Sequence, residues 1–322
     1  ALVFRKLIMG HPSLSVGTNG TMLESSCLQS LQSSEKQECT MPSNTSTTHG
    51  RHSRHCCLAP GLFRSLQRGE RKIPLDIVYE VNQTSFHFKG PQKLGSEDLR
   101  VLQGVVALAS MQQLPFSPLN PLSEHGRKLA NLIKAADNGN GDELLYCAAK
   151  TSVYRLAAEI GYSEDGGGQR RIIIAALDRM AQVTIFYDDE LERYPMDFLG
   201  YHFMKNTGEI LIAVNPQIAR AIWHEDNFVH IDMNEIRCLK SAPARILHQR
   251  ICAIVDPGKK RSFLIDTLVG YVWPEEAHSA STMRTRRATI RDVVAEIEML
   301  EGWHVSQMRK NKIVVARRKY NK

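Results

Sequence analysis

No stretch of this chain is apolar for the roughly 18 to 20 residues that a membrane-spanning helix needs. Leu2–Met9, interrupted by Arg5 and Lys6, is too short for the apolar core of a secretory leader. Cysteine is scarce. The seven present, at positions 27, 39, 56, 57, 147, 238 and 252, are odd in number and scattered over 322 residues, which excludes a disulfide framework and fits a reducing compartment. A cytoplasmic, globular protein with no membrane contact is expected, since 43% hydrophobic residues suffice for ordinary cores.

Signatures of chemistry are also missing. Gly258-Lys259-Lys260 lacks the upstream glycine and the hydroxyl residue of a nucleotide-binding phosphate loop. Neither Phe86-His87-Phe88 nor Tyr201-His202-Phe203 supplies the His pair, one bulky residue apart, that a tyrosine nickase uses to hold metal. His49, His52, His55, Cys56 and Cys57 form the only soft-ligand cluster, and their spacing matches no standard zinc module. Asp188, Asp189, Glu190 and Glu192 read as a solvated turn, and His248 as a structural hydrogen-bonding residue. The expectation is no enzyme activity, no catalytic residue, no metal and no cofactor.

What the chain does have is a concentrated positive charge. Between Met283 and Lys322 stand eleven Lys or Arg against four acids, while the other residues balance at 30 of each sign, so the whole net charge of +7 sits at the C-terminal end. A field so placed points to a polyanion, because neutralising phosphates releases condensed counterions.

Residues 1–57, rich in Ser, Thr, Gly and His and without apolar periodicity, read as a disordered extension, and Met41 is one candidate for a natural start. Alternation in Leu75–Tyr79 and Phe86–Phe88 predicts a hairpin. Ser96 then caps a helix with the stripe Leu99, Leu102, Val105, Val106 and Ala109, and the Pro-punctuated segment 115–121 is a loop. Helices at Ser152–Ile160 and about Gln169–Met180, the second presenting Arg170, Arg171 and Arg179, precede strands at Val183–Tyr187, Tyr201–Met204 and Ile210–Val214. The same order recurs further on. Asn215-Pro216 opens a helix to Trp223, Ser241–Val255 is a longer one, and Phe263–Ile265 is a strand. Asp266 caps a short helix through Val272, Ser281 or Thr282 caps Met283–Leu300, and Trp303–Gln307 and Ile313–Ala316 are strands around a basic turn. The fold expected is α+β: two tandem winged-helix domains, 58–210 and 211–322, behind a disordered N-terminal extension. The hairpin and the helix Leu99–Ala109 are the candidates for a homodimer contact.

At 100° per residue, Met283, Ile290, Val293, Val294, Ile297 and Leu300 share the buried side of the helix Met283–Leu300. Arg284, Ala288 and Arg291 project opposite, with Thr285 and Arg287 on the flanks and Arg286 nearer the core. Long guanidinium groups beside small residues suit the major groove, where Arg pairs bidentately with guanine. Arg309, Lys310 and Lys312 in the turn suit phosphate or minor-groove contact, and Arg170 and Arg171 offer a second DNA contact from the first domain.

The chain resembles the RepC-type iteron-binding replication initiators of broad-host-range IncQ plasmids. Matching stretches include Cys57–Leu66 (CLAPGLFRSL), Arg68–Lys72 (RGERK) and Leu94–Ala109 (LGSEDLRVLQGVVALA) in the first half. Leu247–Lys259 (LHQRICAIVDPGK), Ile265–Ala277 (IDTLVGYVWPEEA) and Ser281–Arg291 (STMRTRRATIR) follow in the second. The resemblance covers residues 57–318 with gaps, loosely at 110–150 and 188–209. It implies binding of double-stranded DNA at directly repeated origin sequences, opening of an adjacent A·T-rich region, plasmid-encoded helicase and primase as partners, and a homodimer through the N-terminal domain. A winged-helix transcriptional repressor is the competing expectation.

Overall fold

The computed structural model describes residues 47–119, 121, 123–133, 145–162, 167–191, 193–223, 228–308 and 311–319. Regular structure begins earlier than residue 58. Strand β1 (His49–Ser53) pairs antiparallel with residues 228–232, His49 opposite Asp232 and Ser53 opposite Phe228, and helix α1 (Arg54–Leu58) follows directly. The expected extension to residue 57 is therefore corrected for 47–57, and its remainder lies outside the described residues. Composition misleads here because HGRHS is polar, yet its backbone groups are paired and Gly50, His52 and Ser53 are buried.

Strand β2 (Phe63–Arg64) leads to β3 (Leu75–Val81) and β4 (Thr84–Gly90), the expected hairpin. Its two-residue turn holds Asn82 and Gln83 at φ 48° and 68°, the left-handed pair that matches strand twist. After β5 (Leu94–Gly95), parallel to β2, comes α2 (Ser96–Gln112). Asp98 accepts a hydrogen bond from the Gly95 amide (2.7 Å), so Gly95 occupies the cap and Ser96 already lies in the helix.

Helix α2 is buried from Leu99 to Ser110 on every side, because it lies between the two large hydrophobic cores of the chain. That removes Leu99–Ala109 as a dimer surface. Its polar residues are spent internally: Asp98 is fully buried between Arg71 (2.7 Å) and Arg179 (2.6 Å), Glu97 receives Arg245 (3.2 Å), and Gln103 donates to Gln249 (3.3 Å). Gly104 is required at its position, since a Cβ there would lie 2.4 Å from Ile160.

The segment expected to be a loop, 115–121, begins within β6 (Leu114–Phe116), and α3 (Glu124–Ala130) follows it. Strand β7 (Tyr146–Ser152) precedes α4 (Val153–Glu159) and α5 (Gly167–Ala181). Strand β8 (Thr184–Asp188) leaves this group to pair with β4 and with β9 (Arg193–Asp197) in a sheet ordered β3-β4-β8-β9. The hairpin β10 (Leu199–Phe203) and β11 (Glu209–Val214) instead joins β7, in the order β10-β11-β7-β6.

Helix α6 (Pro216–Ile222), capped by Asn215 through the Ile218 amide (3.0 Å), ends the first core. Strand β12 (Phe228–Asp232), the partner of β1, opens the second, followed by α7 (Met233–Cys238), α8 (Ala242–Ile254), β13 (Lys260–Leu264) and α9 (Ile265–Val272). Helix α10 (Ala280–Glu298) and the hairpin β14 (Trp303–Met308) and β15 (Lys312–Arg317) complete it. The architecture is α+β, and one topology occurs twice: a strand, two helices and a hairpin whose second strand lies centrally, β7-β11-β10 in one case and β13-β15-β14 in the other. Among the described residues no helix is long and apolar enough to cross a membrane.

Candidate nucleic-acid interface

Helix α10 starts three residues before Met283. Ser279 is its cap, accepting from the Thr282 amide (3.1 Å), so Ser281 and Thr282 already lie inside it. Ile290, Val293, Val294 and Ile297 face the core, and Arg284, Thr285, Ala288 and Arg291 are exposed on the other side. Neither Arg284 nor Arg291 has an ion-pair or hydrogen-bond partner among the described residues. Seven residues at 1.5 Å each put them about 10.5 Å apart on one face, within the roughly 12 Å width of a major groove. The Thr285 hydroxyl donates to the Ser281 carbonyl (3.2 Å), which leaves its methyl group outward.

The other basic residues divide by partner. Arg286 is buried, donating to the Glu275 carbonyl (2.7 Å) with its guanidinium over the Trp273 ring (5.6 Å), so it ties the start of α10 to the preceding turn. Arg287 grips Asp266 bidentately (2.6 and 2.7 Å). Asp266 is thus an ion-pair partner in the first turn of α9, whereas Leu264 takes the cap position expected for it. Lys312 is exposed at the start of β15, and Arg309 and Lys310 lie outside the described residues.

Helix α5 repeats the core spacing of α10, with Ile173, Ala176, Leu177 and Met180 in place of Ile290, Val293, Val294 and Ile297. The positions matching Arg284, Thr285, Ala288 and Arg291 are Gly167, Gly168, Arg171 and Ile174. Arg171 alone is basic there. Arg170 matches the flanking Arg287 and stacks on Phe203 (5.3 Å), and Arg179 is taken up by Asp98.

Under the second sheet lies a buried polar group that the sequence marked only by His248. Its Nε2 meets Glu235 (2.7 Å), whose other oxygen accepts from Trp303 Nε1 (2.8 Å), joining α7, α8 and β14. Cys252 lies nearby, but its sulfur sits 3.5 and 3.9 Å from the two ring nitrogens, alongside the imidazole instead of beyond Nε2. The three groups lie within 4.8 Å of one another, and the closest contact among them is the buried Glu235–His248 ion pair. The cluster at 49–57 is likewise dispersed. His52 is buried and pushed down to about 3, His55 stacks on Phe86, and burial raises the Cys56 thiol to about 12.

Burial lowers the His248 pKa, but Cys252 and Glu235 outweigh it and push the group up to about 10; Glu235, despite its own burial, is held below the usual carboxylate range by that partner. The pair's contribution to stability is complete between about pH 4.5 and 6.5, the ordinary values of the two groups, and declines as pH rises through the raised value of His248. Denaturant midpoints measured from pH 6.5 to 10 should fall more steeply for the unmodified protein than for His248→Gln. Parallel profiles would refute the pairing.

A mixed α+β chain that repeats one strand–helix–helix–hairpin topology, with bare arginines on one helix of the second copy, is the class defined so far. A family model for replication protein C (RepC) matches residues 44–319, and the chain belongs to that family. It is accordingly a plasmid replication initiator that binds DNA at the origin. Among solved structures, a crystal structure of selenomethionine derivatives of domains 2 and 3 of RctB superposes with a TM-score of 0.48 at 9% identity, covering 79% of this chain and 94% of that one. No curated protein sequence matches it.

Proposed function

We propose that the chain binds the directly repeated sequences, or iterons, of its origin as two winged helices in tandem with α10 in the major groove, the two meeting between α6 (Pro216–Ile222) and β12 (Phe228–Asp232) and not at the boundary of 210 expected from the sequence, which falls inside β11. The observation that carries this is the pair of unpartnered guanidinium groups, Arg284 and Arg291, two helical turns apart on the outward face of α10. Thr285 and Ala288 line the same face, Lys312 with Arg309 and Lys310 meets phosphates beside it, and Arg171 adds one contact from α5. Arg287 is held by Asp266 and guides the helix flank. Binding at several repeats favours opening of an adjacent A·T-rich stretch, where helicase and primase are brought in. The chain itself performs no catalytic step. A homodimer through the exposed edge strand β3 suits the first unit, because β3 pairs on one side only.

A footprint on the parent replicon tests the function. Protection is expected over tandem repeats spaced by about two helical turns beside A·T-rich DNA. Protection of a single palindrome over a promoter would make the protein a repressor instead.

A further inference from the structure

The three-stranded sheet of the second unit has one end where Met308 and Leu264 flank Lys312, the wing end on the proposed reading, and a far end, where β13 begins and β15 finishes. At the far end Lys259, Lys260, Arg261, Arg318 and Lys319 are all exposed, and none has an acidic partner among the described residues. Backbone pairing holds them together. The Arg317 amide donates to the Lys259 carbonyl (3.0 Å), the Gly258 amide to the Arg317 carbonyl (2.9 Å), and the Arg318 amide to the Gly302 carbonyl (2.7 Å). Lys319 crosses Gly258, its Cβ 3.4 Å from where a side chain there would start.

The acids nearby do not offset this charge. Asp256 is engaged by Arg54 (2.9 Å) and Glu298 faces His304 (3.9 Å), which leaves Glu301 against five cations. Elsewhere cations meet acids directly, Arg237 with Glu159, Arg245 with Glu97, and Arg71 and Arg179 together on Asp98. Five like charges on adjacent strand ends, about 4.8 Å apart in the pairing direction, repel one another unless a polyanion lies over them.

We propose that this far end is a second phosphate-backbone contact for DNA, separate from the groove read by α10. The proposal rests on the assignment of α10 to the groove. Five residue steps along β15 at about 3.4 Å place the patch about 17 Å from Lys312, beyond the roughly 12 Å groove that α10 and the wing occupy. Its DNA is therefore either the flank of the same duplex, curved toward the sheet, or a second duplex. A protein partner fits less well, because Ser262, Ala316 and Gly258 between the cations provide none of the large apolar anchors on which protein interfaces depend.

The test uses the full chain with Lys259, Lys260 and Lys319 changed together to Gln, all surface positions, and an origin repeat mapped by footprinting. Binding is titrated with salt on a duplex of about 20 base pairs holding the repeat alone and on one of about 60 with natural flanks. On the bare repeat the variant should match the unmodified protein, whereas on flanked DNA its salt slope should be shallower by nearly 3, at about 0.9 per phosphate lost. If the loss appears instead only when a second duplex is added to the bare-repeat complex, followed by sedimentation, the patch serves a separate duplex. Unchanged slopes in all three settings, or an equal loss on the bare repeat, would overturn the proposal. Failure of the α10 assignment is distinguishable, since it shows in Arg284→Ala and Arg291→Ala on the bare repeat, where these lysines have no effect.

Discussion

Arg237→Ala is expected to destabilise the protein by about 3 to 5 kcal/mol, the usual cost of leaving a buried charge without its partner. Arg237 and Glu159 are 1% and 0% exposed in their side chains and meet at 2.7 Å. The guanidinium also donates to the Glu159 carbonyl (3.0 Å) and the Thr47 carbonyl (3.1 Å), while Glu159 accepts from the Thr47 amide (3.1 Å) and hydroxyl. One arginine from α7 therefore secures the end of α4 and the entry to β1 together. Urea unfolding checks the value. A double change to Arg237→Met and Glu159→Gln should recover much of the loss, because no uncompensated charge stays behind. A single variant within 1 kcal/mol of the unmodified protein would mean that water reaches Glu159.

A separate set of charge pairs on α2 joins the two repeated units. Asp98 on α2 holds α5 through Arg179, and Glu97 one residue earlier holds α8 through Arg245. Both helices proposed to face DNA thus hang from α2, α5 directly and α10 through the second core, which also includes Ala107 of α2. On the proposed reading, the spacing between the two DNA contacts is set by these charge pairs on α2, of which only Asp98 is fully buried.

How much of this was legible in the sequence depends on where each partner lies. Helix α10 was legible because its apolar period and its basic face are local, and so was the inward turn of Arg286. Its cap was misplaced by two or three residues, since Ser279, Ser281 and Thr282 are all capable caps and only the backbone path chooses. Strand β7 was missed because Tyr146–Ala149 are buried in succession, which erases the two-residue alternation. Strand β1 was missed because its residues are polar and its partner lies about 180 residues on, at β12. Long-range pairing also hid the use of Arg179 by Asp98 and of Arg287 by Asp266, which leave the groove-facing set smaller than the charge count implied. Lys259 and Lys260 were weighed only as part of a phosphate loop. Their grouping with Arg318 and Lys319 exists only once β13 and β15 are paired.

The central claim is that α10 reads bases, and the second large effect follows from it. A bidentate contact between arginine and guanine discriminates by about 1 to 3 kcal/mol, and sites about 10.5 Å apart with no shared partner add. Arg284→Ala with Arg291→Ala should therefore remove about 2 to 6 kcal/mol of preference for the origin repeat. Affinity for arbitrary DNA should change little, because Lys312 and the remaining basic residues still bind phosphates. Both side chains are exposed and unpartnered, so the double variant should unfold at the same urea concentration as the unmodified protein. The decisive measurement is competition between labelled origin repeat and a scrambled duplex of equal length at fixed salt. The account predicts that the double variant nearly loses the distinction between the two duplexes while still binding both. Full retention of the preference by that variant would contradict it and take α10 out of the groove.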